Sequence, residues 1–115
     1  MEKIFNYEDR LVRFAGEVVF FVETVPKSYA GQYYSSQLIR ASGGSALNYE
    51  EAQGTITNKD FIHKASIVTK ELKESRIALK VLKYAKLGDT DKRNWLLIEC
   101  EELIAISSKM INNKR

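Results

Sequence analysis

The chain is predicted to be all-α, folded as an antiparallel up-down-up-down four-helix bundle in a single domain over 1–115. Apolar residues recur at alternating three- and four-residue steps through four segments, the spacing of a helix stripe that faces a core. Turn residues separate those segments by about two to eight positions, short connections that favour antiparallel neighbours. No stretch alternates apolar and polar residues with a period of two, so no strand competes.

The first helix is predicted from about Tyr7 to Val25. Asn6 is placed as its N-cap, and Asp9 sits near the positive end of the helix dipole. Leu11, Ala15, Val18, Val22 and Val25 form one stripe, widened by Phe14 and Phe21, and Pro26 cannot continue the hydrogen-bond ladder. The second helix is predicted over about 30–53, with Gly54 as a left-handed stop. Gly43-Gly44 opens two readings, a break into two short helices or one continuous helix that a neighbour approaches closely. The apolar stepping keeps phase across both glycines, which favours the continuous helix.

The third helix, predicted over about 58–87, opens with Thr57 and Asp60 in the manner of a capping box. Phe61, Ala65, Val68, Leu72, Ser75, Leu79 and Leu82 follow at a/d spacing, and Gly88 is placed as the terminator. The fourth, over about 91–112, carries Leu96, Cys100, Leu103, Ser107 and Met110 on one face, with Leu97, Ile104 and Ile111 beside it. Trp95 and Cys100 are expected in the core, and His63 on the surface.

Composition excludes several classes. With 44% hydrophobic and 29% charged residues the chain reads as globular, neither disordered nor membranous. The apolar run Val18–Val22 is far shorter than the roughly 20 residues of a spanning helix, and the charged N-terminus lacks a signal-peptide core. One cysteine builds no disulfide framework and fits a reducing, cytoplasmic location. Residues 1–57 carry five basic against seven acidic side chains, and residues 58–115 thirteen against eight, an asymmetry compatible with an anionic partner or with ordinary surface charge.

The second helix is unusual. Its stripe Tyr34, Leu38, Ala41, Ser45, Asn48, Ala52 is small and polar, and buried polar groups demand hydrogen bonds. A polar seam against the third helix is expected from this, made by Gln37, Arg40, Asn48 and Glu51 with Glu71 and Glu74, either within a subunit or between subunits. The same carboxylates raise a di-metal reading. That template needs a Glu-x-x-His from each of two helices, whereas His63 follows Asp60. No metal and no cofactor is therefore expected. No phosphate loop, nucleotide fingerprint or nucleophile motif occurs, so no catalytic residue is assigned.

Lys73, Arg76, Lys80 and Lys83 step by three and four along the third helix, and Lys86 extends them. This is either a track for phosphates, with Lys92 and Arg93 near the same end, or a solvated face suited to a helix C-terminus. Tyr29, Tyr33, Tyr34 and Tyr49 offer rings for base stacking or for packing and subunit contact.

The run Gln37-Leu38-Ile39-Arg40-Ala41-Ser42, then Leu47-Asn48-Tyr49-Glu50-Glu51-Ala52-Gln53-Gly54, then Asp60-Phe61-Ile62 and Lys70-Glu71 with Glu74, resembles the family of 23S ribosomal RNA intervening-sequence proteins. The resemblance spans roughly residues 10–110. It implies a small bacterial four-helix bundle without known catalytic activity, assembled as a homo-oligomer, a ring of five. The accessory variability determinant of diversity-generating retroelements is structurally related. It is a basic pentamer that partners a reverse transcriptase and nucleic acid. RNA or DNA, and a reverse transcriptase as the alternative, are accordingly the expected partners.

Overall fold

The computed structural model describes residues 6–115; the first five residues of the predicted domain lie outside that description. Its helices are α1 (Tyr7–Val22), α2 (Tyr29–Gln53), α3 (Asn58–Tyr84) and α4 (Thr90–Asn113), and the described residues contain no strand. Each begins on a side-chain cap of the expected kind. Asn6, Ser28, Thr57 and Asp89 accept the amides of Asp9, Gly31, Asp60 and Lys92, satisfying donors that the first turn leaves orphaned.

Cross-helix contacts give the topology. Along α2 and α3, Arg40 meets Glu74, Gly44 meets Glu71 and Glu51 meets Lys64, so one numbering falls as the other rises. Tyr7 with Leu103, Arg10 with Glu99 and Thr24 with Asp89 orient α1 against α4 in the same sense. Thr69 with Ser107 and Leu72 with Cys100 do so for α3 and α4. The helices therefore alternate up and down.

The core is the predicted set of stripes. Leu11, Phe14, Val18 and Phe21 of α1 pack with Leu38 of α2, with Val68, Leu72, Leu79 and Leu82 of α3, and with Leu96, Cys100 and Leu103 of α4. Full burial of each large side chain stabilises the fold by about 1.5–3 kcal/mol. Trp95 is only half-buried at the edge of this core, with the Arg13 guanidinium 4.8 Å from its ring centroid. The Gly43-Gly44 pair lies inside one continuous α2.

The helix ends depart from the sequence expectations in three places. α1 stops at Val22, not Val25. The Thr24 hydroxyl donates to the Phe21 carbonyl at 2.6 Å and its amide to the same oxygen at 2.9 Å, while Pro26 biases Val25 away from helical geometry. Gly54 is not left-handed; at φ −87° it ends α2 in a tight turn, its amide 3.1 Å from the Glu51 carbonyl. α3 ends at Tyr84, not 87, and the left-handed terminator is Lys86 at φ 60°, two residues before Gly88. The Leu87 amide reaches the Leu82 carbonyl at 2.9 Å and the Lys86 amide reaches the Lys83 carbonyl at 3.1 Å, the paired bonds of a Schellman motif.

Candidate nucleic-acid interface

The inward face of α2 satisfies most of its polar groups by itself. The Ser42 hydroxyl donates to the Ile39 carbonyl at 3.3 Å, Ser45 to Ser42 at 2.7 Å, and the Asn48 amide to Gly44 at 2.8 Å. Small polar side chains on a helix readily return to carbonyls three or four residues back. Within the chain the Asn48 amide thus bonds its own helix and not α3.

What does cross between α2 and α3 is a cluster around Arg40. Its Nη2 donates to Gln37 Oε1 at 2.9 Å and to Glu74 Oε1 at 3.3 Å, while Nη1 lies 3.6 Å from Glu71 Oε1. Lys70 Nζ stands 3.6 Å from the other Glu74 oxygen. Glu71 is the inner member, its side chain 14% exposed and its carboxylate laid over Gly44, where a Cβ would come within 3.1 Å of Cδ. Burial and then the neighbouring Glu74 charge push the Glu71 pKa up, with Arg40 and Lys70 acting in opposition. Glu51 stands apart from this cluster and pairs with Lys64 at 2.6 Å on the exposed surface. Such exposed pairs contribute at most about 1 kcal/mol each.

The predicted cations divide into two sets. Arg76 is half-buried, its Nη1 donating to Glu101 of α4 at 2.8 Å, so it clamps two helices. Lys73, Lys80, Lys83 and Lys86 are exposed and form no ion pair among the described residues. Arg93 is buried, its Nη1 donating to the Leu87 and Gly88 carbonyls at 2.9 and 3.2 Å. It ties down the α3–α4 turn and adds nothing to the basic surface. Two further pairings gave no periodic signal because their partners are distant in the chain. Arg10 grips Glu99 and Glu102 across α1 and α4, and the buried Tyr7 hydroxyl donates to the Leu103 carbonyl at 2.6 Å.

Two surfaces emerge from the assembled helices. A groove of about 650 Å³ runs between α2 and α3, walled by Tyr33, Tyr34, Gln37 and Arg40 on one side and by Lys70, Lys73, Glu74 and Ile77 among others on the other. Tyr29 and Tyr33 are exposed, whereas Tyr49 is half-buried edge-to-face with Tyr7 at 4.9 Å. Separately, α1 exposes Val12, Val19 and Phe20, and α2 exposes Ile39 and Leu47. No helix is long and apolar enough to cross a membrane, and no group of three or more His, Cys, Asp or Glu suited to a metal occurs, among the described residues. His63 is exposed.

Fold and surface thus define an all-α four-helix bundle with a self-capped polar helix and a lysine-bearing one. The chain belongs to the 23S rRNA-intervening sequence protein family, whose model matches residues 8–112. A crystal structure of a protein of unknown function from the S23 ribosomal protein family of Bacteroides thetaiotaomicron is similar to it. The TM-score is 0.83 at 21% identity, covering 92% of this chain and 98% of that one, a likeness of fold. No curated protein matches the chain.

Proposed function

We propose that the protein is a non-enzymatic bundle that self-associates into a ring, a homopentamer, and holds RNA or DNA on lysine-bearing surfaces. The observation that carries the nucleic-acid reading is the separation of roles among the cations. Arg40 and Arg76 are engaged with carboxylates, while Lys73, Lys80, Lys83 and Lys86 stand exposed and unpaired along and just beyond α3 among the described residues. Free ammonium groups release counterions when they meet phosphates, and a ring repeats the same patch several-fold. Self-association is supported by the family resemblance and by the apolar residues that α1 and α2 leave in solvent.

Light scattering is expected to give a mass of several chains. Gel-shift titration is expected to show binding that weakens steeply with salt and is lost when Lys73, Lys80 and Lys83 are changed to glutamate. A monomeric mass overturns the ring, and no retention of RNA or DNA at low salt overturns the polyanion reading. The exposed apolar residues favour a second reading, a scaffold that docks a larger enzyme such as a retroelement reverse transcriptase. That reading is selected if the charge-reversed protein still captures its partner while Val19→Glu does not.

A further inference from the structure

We propose that the groove between α2 and α3 accepts a single unstacked nucleobase, making the protein selective for single-stranded over duplex nucleic acid. The proposal rests on the nucleic-acid reading above and adds to it a second element, which shares only Lys73 with the lysine surface.

The groove's volume of about 650 Å³ lies in the range of sites that take small organic ligands. Its walls offer the contacts a base needs. Tyr33 and Tyr34 stand edge-to-face, 5.0 Å between centroids and 87° between planes, so one ring has both faces clear of the other. Tyr33 is 49% exposed and Ile77, on the facing helix, 58% exposed, so the groove presents aromatic surface on which a base can stack and aliphatic surface along its wall. The Gln37 amide and the Glu74 carboxylate also line the groove; both are held by Arg40, and each keeps hydrogen-bonding capacity beyond that contact.

Charge sets the polarity of entry. Glu74 places a negative charge inside the groove, flanked by Arg40 at 3.3 Å and Lys70 at 3.6 Å. A carboxylate repels phosphate but accepts from the exocyclic amino group of adenine, cytosine or guanine. The Lys73 ammonium, also on the groove wall and without an ion pair among the described residues, is then the group that meets the backbone phosphate. In a duplex the base faces are stacked and cannot reach Tyr33, so only the exposed lysines act on it.

The test is fluorescence anisotropy with the full chain at low salt. Its probes are labelled twelve-nucleotide strands of adenylate, cytidylate and uridylate and a duplex of the same length. Tyr33→Ala is expected to weaken adenylate and cytidylate binding about tenfold and to leave duplex affinity unchanged. Lys80→Glu with Lys83→Glu weakens both, and uridylate binds least of the single strands. Equal single-strand affinity for Tyr33→Ala and the unaltered protein, with the lysine variants still weakened, overturns the groove and spares the polyanion reading. Absence of all binding overturns both. A change of oligomer mass in Tyr33→Ala or Ile77→Ala without any change in nucleic-acid affinity shows a protein occupant instead, and overturns the groove proposal. Circular dichroism of each variant verifies that the bundle is intact.

Discussion

The adjacent glycines of α2 provide a controlled experiment within a single helix turn. A Cβ built on Gly43 meets nothing within 4 Å, whereas one on Gly44 comes within 3.1 Å of Glu71 Cδ and 3.2 Å of its Oε2. Glycine to alanine in a helix interior gains about 1 kcal/mol when space is free. Gly43→Ala should therefore stabilise by about 1 kcal/mol, close to 4 °C in Tm for a domain of this size. Gly44→Ala collects the same gain but displaces a nearly buried carboxylate. Crowding of a packed site costs about 1–3 kcal/mol, so the net effect runs from neutral to about 2 kcal/mol destabilising. Urea unfolding followed by circular dichroism measures both, and a Glu71→Ala background completes the cycle, since removing the obstructing side chain should return the full gain to Gly44→Ala. Equal stabilisation by the two alanines would refute the placement of Glu71. A Gly43→Ala variant whose loss of stability grows with protein concentration would show another copy lying over that turn.

Lys86→Gly is expected to stabilise the protein by about 1 kcal/mol in the same assay, because a lysine at φ 60° bears a strain that glycine does not. Burial pushes the Cys100 thiol up to about 12 from its ordinary 9.0, so between those pH values the unfolded chain has lost a proton that the folded chain keeps. Its contribution is whole below pH 9 and declines above it by up to about 1.4 kcal/mol per pH unit. Iodoacetamide at pH 9 should accordingly label Cys100 only as fast as the bundle opens, and rapid labelling of the native protein would contradict the burial.

The a/d series of α3 was legible because a buried stripe repeats. Ala65, Val68, Leu72, Ser75, Leu79 and Leu82 are all buried, and Phe61 in the first turn is half-buried. Helix ends were less legible because their chemistry is local and substitutable, so a lysine takes a left-handed position two residues before the expected Gly88, which is itself at φ 90°. The lysine surface could be read from spacing along one helix. Arg76 could not be separated from it, since Glu101, which neutralises it, lies on another helix. The groove was equally invisible, because only the packing of α2 against α3 brings Tyr33, Tyr34 and Gln37 to one cleft with Lys73 and Ile77.

The hydroxyls of Ser42, Ser45 and Ser75 all fold back onto their own helix, and between α2 and α3 the polar links gather about Arg40 and Lys64, nearer the water. Alignment of these two rods is thus set inside by Leu38 and the small residues of α2 packed on the apolar stripe of α3, and outside by ionic fastening. Raising ionic strength weakens only the latter, so the pair should keep its register in concentrated salt and lose at most about 1 kcal/mol for each exposed ion pair.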